Sequence, residues 1–367
     1  MSTTKNNAAA CAAGLLLGTL SVAASAQSSV ALYGELDTGL AYVSNAGGHA
    51  QFRMTSGFID GSYWGLQGNE DLGGGLKALF RLEHGYTVTS GAMLNDHPVY
   101  VGLESQQFGR LTLGHQYDSI HDYFAPFTLT GANGGTAFAH PFDNDNANNT
   151  YLAANSLKYA SEPIGGFSFG GLYAFSNGAG FADNRAYSLG ANYSAGAFSA
   201  GAAWLHNNGR GATDTGAYDT LTLPGANGTL VATTVAKQDT VGVGANYMIG
   251  DVTFGGAWSR SISTGIVDAD SGAPLASIAF SNYEANAIWQ LSPAVVLAGM
   301  YAYTNASSAH WHTGAVQADY QLSKRTDVYA ETLYRRASSG ATSVINSMDP
   351  SSGRNQVVIS TGIRHRF

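Results

Sequence analysis

The 367-residue chain has one cysteine, eight prolines and few charges. The cysteine, Cys11, falls in an N-terminal run that reads as a leader, so the body of the chain has none. Disulfides are excluded there, and an exported chain must then be stable by other means. Charged residues make up 11%, against about 25% in ordinary globular proteins. No apolar run of the length a membrane helix needs follows residue 26, which excludes helical spans. What is abundant is Gly, with 47, and Tyr, with 20. Two classes remain open: a soluble secreted all-β protein, and a membrane β-barrel, whose alternating strands never look hydrophobic on average.

Residues 1–26 combine a basic Lys5, the stretch "AAACAAGLLLGTLSVAASA" and a small-residue ending at Ala24-Ser25-Ala26. That is the layout of a cleaved secretory signal peptide, with a single membrane anchor as the alternative. Cys11 precedes most of the apolar core, which argues against a lipid-modified cysteine. Lys5 is the only charge removed, so the mature part, 27–367, has 16 Lys+Arg against 25 Asp+Glu and a net charge of −9. It reads as a single barrel domain.

Period-two alternation runs through that domain. In "VALYGELDTGLAY", Val30, Leu32, Leu36, Leu40 and Tyr42 share one face; Tyr33, Glu35, Asp37 and Gly39 share the other. "LKALFRLEHGY", "DVTFGGAWS" and "YEANAIWQL" repeat the pattern. Alternation places successive side chains on opposite faces of a strand. Short breaks at 71–75, 105–109, 162–166, 194–197, 249–251, 291–293 and 323–325 alternate with longer polar ones at 44–50, 87–97, 118–154, 177–184, 208–236, 264–277, 306–309 and 339–353. Those fifteen connections join sixteen strands. The expected fold is all-β: a transmembrane, antiparallel, up-and-down barrel with short turns at one rim, long loops at the other, and both termini at the short-turn rim. The outer face is apolar and charges gather on the inner one, which is inside-out for a soluble sandwich.

The segments "SSVALYGELDTGLAY", "SYWGLQGNEDLGGGLKALFRLEHGY", "VYVGLESQQFGRLTLGHQYD", "NSLKYASEPIGGFSFGGLYAFSN" and "GIRHRF" resemble the general porins of Gram-negative bacteria, the β-proteobacterial kind in particular. The resemblance spans the chain and is weakest in the long loops. It implies an outer-membrane homotrimer surrounded by lipid and lipopolysaccharide. It also implies a third extracellular loop folded inward to narrow the pore, and passage of small hydrophilic solutes. The long segment 118–154 fits that loop, since connections of this size are usually functional.

Segment 118–154 contains Asp118, Asp122, Asp143 and Asp145, and no Lys or Arg occurs from 111 to 157. It is therefore expected as the acidic side of a constriction. On the wall, Arg53, Lys77, Arg81 and Lys158 point inward, with Tyr63 at a position where the family commonly has arginine. Acids facing bases across a pore set an ion preference. Gln67, His115 and "YLAANSLKY" also lack arginines common in the family. With the −9 charge, this leads us to expect weak selectivity or a cation preference.

Other constellations carry less. "FDNDNAN" has the first acids of a calcium loop but neither its Gly nor its terminal Glu, so turns are the expected reading. "HWH" puts His310 and His312 on one face without a third ligand, and an exposed loop edge is expected. "GVGAN" lacks the strand–turn–helix context of a dinucleotide site. No nucleophile with a base in reach stands out. The chain is thus read as a non-enzyme without cofactor, metal or nucleic acid. The alternatives are a substrate-specific channel and a non-conducting structural or adhesive barrel.

The final strand closes the reading. Ile359, Ile363 and Phe367 face out and Arg364 and Arg366 face in, beside Glu35 and Asp37 if the barrel closes there. Cross-strand ion pairing is expected. The resemblance further implies that the C-terminal strand ending at Phe367 addresses the chain to the barrel assembly machinery.

Overall fold

Alternation resolves into one antiparallel sheet closed on itself. The computed structural model describes residues 28–180, 184–209, 220–224, 230–307 and 309–367; the expected leader, 1–26, lies outside them. The staves are β1 (Ser29–Ala46), β2 (His49–Ser56 and Tyr63–Gly73), β3 (Leu76–Tyr86), β4 (Val99–Ser105), β5 (Gly109–Gln116), β6 (Ala153–Ala160), β7 (Phe167–Ala174) and β8 (Arg185–Ala195). They continue as β9 (Phe198–Asn208), β10 (Leu230–Ile249), β11 (Val252–Asp268), β12 (Ile278–Ser292), β13 (Val295–Ala306), β14 (Ala309–Gln321), β15 (Thr326–Ala337) and β16 (Asn355–Arg366). Short strands at Met93–Leu94 and Thr220–Pro224 extend the ladders beyond the wall.

Closure runs from β16 to β1, with Glu35 opposite Arg366 and Asp37 opposite Arg364. It leaves no open edge, which a sheet in lipid requires because unpaired backbone groups find no water there. Each of the seven short breaks read from the sequence lies at a turn of one rim. Val30, Leu32, Leu40 and Phe52 are exposed on the outside, whereas Glu35 and Asp37 are buried within.

One departure from plain alternation matters. β2 is interrupted at 57–62, where the chain leaves the wall between the pairs Thr38↔Ser56 and Glu35↔Tyr63. Gly57, with φ +67, begins the excursion. Asp37 holds it: its carboxylate accepts from the amides of Ile59 (2.7 Å) and Asp60 (3.0 Å) and from Tyr329 Oη (2.7 Å).

The apolar core is not between layers but inside the barrel, between the wall and the 117–152 loop. One cluster joins Phe58, Ile59, Leu129 and Phe138 to Leu333 and Ile345. A second joins Ile120, Tyr123 and Phe124 to Leu172 and Leu205. In a third, Phe142 leans on Phe280 and Trp311.

Candidate pore constriction

The loop between β5 and β6 begins with α1 (Ser119–Tyr123), capped by Asp118, whose carboxylate accepts from the Ile120 amide at 2.6 Å. From there it crosses the interior. Tyr123, Phe124 and Phe127 lie on a strip of glycines: Gly190, Gly201, Gly242 and Gly244. A Cβ at Gly242 would sit 2.4 Å from the Phe124 ring, so the strip is bare because the aromatics press against backbone. Further on, the Leu129 amide donates to Glu284 at 2.7 Å and Asn286 donates to the Phe127 carbonyl at 2.9 Å. Gly135 lies against Ile59 of the β2 interruption, and Thr136 N donates to the Phe58 carbonyl at 3.2 Å.

A buried ionic anchor fixes the loop's return. His140 lies between Asp145 (2.8 Å) and Glu284 of β12 (3.2 Å), all three almost fully buried. Asp145 also accepts from Ser259 and Asn282. Burial opposes a charge on His140, but the two carboxylates outweigh it and raise its pKa to about 10. The reverse holds for Asp145: burial raises, yet His140 holds the carboxyl below its ordinary range. Arg335 of β15, fully buried, donates to the Ala139 carbonyl at 2.6 Å and to Thr313 at 2.9 Å.

The four loop acids occupy different surroundings. Asp118 is buried, and besides capping α1 it accepts from Asn146 at 2.7 Å, tying the loop's start to its end. Asp143 accepts from Asn148 N (2.9 Å), Thr150 N (3.1 Å) and Thr150 Oγ1 (2.7 Å). Burial, then the nearby Asp145, pushes its pKa up to about 7. Asp145 is in the anchor. Only Asp122 is partly exposed, and Lys158 grips it at 2.6 Å while also donating to the Tyr117 carbonyl at 2.8 Å. The expected face-off of loop acids against wall bases is met by one pair, Asp122 with Lys158; loop donors and His140 take up the other three acids. Acids inside a folded loop need nearby donors, and amides two to seven residues away supply them.

The open channel lies on the other side of the loop, as a cavity of about 780 Å³. Arg81, Arg364 and Arg366 line it together with Asp60, Glu83 and Asp96. Arg81 is bound to Glu83 (2.5 Å), and its Nε donates to Tyr33 at 3.0 Å. Tyr63 points inward and its ring meets His97 at 5.0 Å; His97 contacts Asp96 at 2.7 Å. At the seam, Arg366 meets Glu35 and Asp327, each at 3.0 Å, and Arg364 meets Asp327 (3.0 Å) and Asp319 (3.3 Å). The expected seam pairing therefore holds for Glu35, whereas Asp37 serves the β2 interruption. Lys77 stands near the short-turn rim opposite Glu104. Arg53 stands nearer the long loops, 4.0 Å from Asp349. Phe367 is exposed, and its backbone pairs with Gly34. His310 and His312 lie on the outward face at the start of β14, where His310 is exposed beside the preceding loop.

Reasoning from sequence did not single out Asp60, Asp96, His97 or Glu284. "FIDGSYW" and "NDHP" carry the Gly, Asn, Asp and Pro that mark departures from a strand, which is the signal available for the first three.

The sequence profile of the Gram-negative porins matches residues 8–340. An outer membrane porin protein of Bordetella pertussis is 37% identical over 213 residues, which is 50% of this chain and 54% of that protein. The chain thus spans about half the length of that relative. Outer membrane porin protein 32 of Delftia acidovorans is 26% identical across 94% of this chain and 96% of its own. Among solved structures, the anion-selective porin from Comamonas acidovorans superposes with a TM-score of 0.74 at 24% identity, covering 93% of this chain and 100% of that one. OmpT of Vibrio cholerae in its trimer form gives 0.66 at 17% identity, covering 93% and 99%.

Proposed function

This chain belongs to the Gram-negative porin family, and from that premise we propose a passive diffusion channel for small hydrophilic solutes and ions across the outer membrane. The observation that carries it is the loop lying across the lumen, held by a buried ionic anchor, with a charged cavity left along the opposite wall. A sixteen-stave barrel without such a loop would be an unfiltered aqueous hole. With it, size sets the limit at the cavity and charge biases what enters.

The channel prefers cations weakly. Arg364 and Arg366 stand among Glu35, Asp319 and Asp327, and Arg81 is bound to Glu83, so each arginine at the cavity is matched or outnumbered by carboxylates. Asp60 and Asp96 add further negative charge at the cavity. The name of the Comamonas protein records anion selectivity for that protein; here the carboxylate excess supports the opposite sign. The working form is a homotrimer in outer-membrane lipid and lipopolysaccharide, delivered through its C-terminal strand by the barrel assembly machinery. The family supports the trimer, as does the trimer form of the Vibrio neighbour.

Single-channel recording in planar bilayers tests the reading. The expected result is conductance in groups of three steps, with a reversal potential on the cation side in a salt gradient. Insertion without conductance overturns the channel, and a clear anion preference overturns the sign of the bias.

A further inference from the structure

Among the charged groups at the cavity, one stands without an ionic partner. Arg81 is bound to Glu83, and Arg364 and Arg366 are shared among Glu35, Asp319 and Asp327. His121 contacts Asp122, which Lys158 already holds. Asp60 lines the same space from the β2 interruption and is exposed to it. Among the described residues, no Lys, Arg or His lies within ion-pair distance of its carboxylate. The arginine whose field reaches it most is Arg364, and that guanidinium is held by Asp319 and Asp327. Asp96 is the second negative group: its neighbour His97, 2.7 Å away, offsets it only when protonated.

The rings around Asp60 are open to the same space. Gly61 lets the His97 ring come close to the backbone, since a Cβ there would lie 3.3 Å from it. Tyr63, three residues after Asp60, meets His97 at 5.0 Å and takes Tyr33 edge-on at 6.1 Å. From the loop, Tyr117 and His121 stack at 4.0 Å with planes 13° apart. Tyr63, Tyr117 and His121 are all partly exposed and line the cavity. Tyr117 is within electrostatic reach of Glu83, Arg81, Asp60 and Asp96, so the loop's pair belongs to the same corner.

A bare carboxylate attracts any cation, sodium included. Aromatic faces beside it change which cation gains most. A ring face attracts positive charge through its quadrupole, and the attraction grows where water is displaced. A flat or apolar body gains further by stacking on tyrosine, and an ammonium donates charge-assisted hydrogen bonds to the carboxylate. A hydrated metal ion keeps its water shell and collects little of either aromatic contribution. The cavity, about 780 Å³, falls in the size range of small-molecule sites, about 300–1,000 Å³.

We infer that this corner is a subsite for small organic cations, with an ammonium seated on Asp60 and its aromatic body lying against Tyr63 and the Tyr117–His121 stack. An aryl-alkyl ammonium has that chemistry. Binding is weak and quickly reversed, as passage through a channel requires. The inference deepens the channel reading, on which it rests for the solute's route in, and the two fail separately.

The test titrates the full protein in neutral detergent with phenethylammonium, with the neutral phenethyl alcohol and with ethylammonium. Saturation-transfer NMR reads binding without any need for conduction, and the same probes are added to single channels in planar bilayers. Saturable binding of phenethylammonium is expected in the millimolar range, at least fivefold tighter than either control, with a matching reduction of ion current. Asp60→Asn and Tyr63→Leu should each weaken it at least threefold. Salt at about 1 M should weaken wild-type binding and leave that of Asp60→Asn little changed. Equal binding of phenethyl alcohol overturns the inference, because charge would then play no part. Equal binding of ethylammonium overturns it too, since only a general cation bias would remain. So does wild-type affinity in both variants, which puts the occupant elsewhere. Asp60→Asn decides alone where Tyr63→Leu folds poorly, since Asp60 is exposed and the amide has the same shape. Conductance without binding overturns the subsite and leaves the channel; binding without conductance does the reverse.

Discussion

Along β8 to β11 the inner wall carries a strip of small residues: Gly190, Gly201, Ala203, Gly242, Gly244 and Ala257. On β3 and β16 it carries Arg81, Glu83, Arg364 and Arg366 beside the cavity. The first half receives the loop and the second is left open beside the cavity. Both halves close the same barrel and obey the same alternation. The difference is what fills each inward position: where protein covers the wall, the side chain disappears to admit an aromatic ring, and where water covers it, charge is retained. The loop's own charges follow the covered side, since Asp118, Asp143 and Asp145 are all buried.

The largest effect should come from the anchor on the covered side. His140→Ala leaves Asp145 and Glu284 facing each other without their shared cation. Breaking a buried charge group in this way costs about 3–5 kcal/mol. That exceeds what the remaining single hydrogen bonds supply individually. The loop should come away from β12, and single-channel conductance should rise with added low-frequency noise. An unchanged conductance would mean that the glycine strip alone positions the loop.

Next comes that strip. Gly242→Val places a side chain where a Cβ already lies 2.4 Å from the Phe124 ring. Overpacking of this kind costs about 1–3 kcal/mol, and the ring must lift. Gly314→Val is the control on the uncrowded side, since an added Cβ there meets nothing within 4 Å. Conductance and thermal unfolding should change for the first and stay at wild-type values for the second.

These two tests also mark where the sequence stopped being readable. Strand number and facing were legible because period two repeats in every stave and lipid tolerates only one kind of outer face, as Val30, Leu32 and Leu40 show. The β2 interruption was not, because Gly57, Asp60 and Gly61 look like any turn, and the carboxylate that organises them, Asp37, lies on another strand. The loop acids were legible as charge but not as partners. A formal charge does not say whether amides, a histidine or water will meet it. Arg335 and Arg336 show the limit within one dipeptide: alternation sends one inward and one outward. Only the fold shows that the inward one ends on the Ala139 carbonyl of the loop.

A smaller effect separates the covered side by pH. His140 has a raised pKa, so its stabilisation is fully present below about 6.5, its ordinary value, and is lost as pH rises through about 10. Asp145 has a lowered pKa, so its share is present above about 3.9 and is lost as pH falls through its folded value. Asp143 is raised, so its share is fully present below about 3.9 and is lost as pH rises through about 7. Acidifying from pH 8 to 5 should therefore tighten the loop, and raising pH past about 10 should release it. Closing noise recorded at these three pH values checks the order. His140→Ala should lack the alkaline step.

The smallest effect, and the one that sets the two halves against each other most directly, is in ion preference. Arg81→Gln removes a cation beside the cavity, and Asp60→Asn removes an anion; Asp118→Asn removes an anion the loop has already enclosed. One unit charge about 5 Å from a permeating ion in water is worth about 0.8 kcal/mol, so cation preference should rise by up to about fourfold in the first variant and fall comparably in the second. It should stay unchanged in the third, which keeps its N-cap, since asparagine caps a helix as well as aspartate does, but loses the acceptor for Asn146 and about 1 kcal/mol of stability. Screening supplies a further check. The Debye length shrinks from about 10 Å at 0.1 M to about 3 Å at 1 M, so the Arg81 and Asp60 effects on reversal potential should largely vanish at high salt, while the loop-release effects of His140→Ala and Gly242→Val on conductance should persist. If Asp118→Asn shifted the reversal potential as much as Asp60→Asn, the loop's acids would be acting on the channel, and the division between a covered half that builds and an open half that selects would fail.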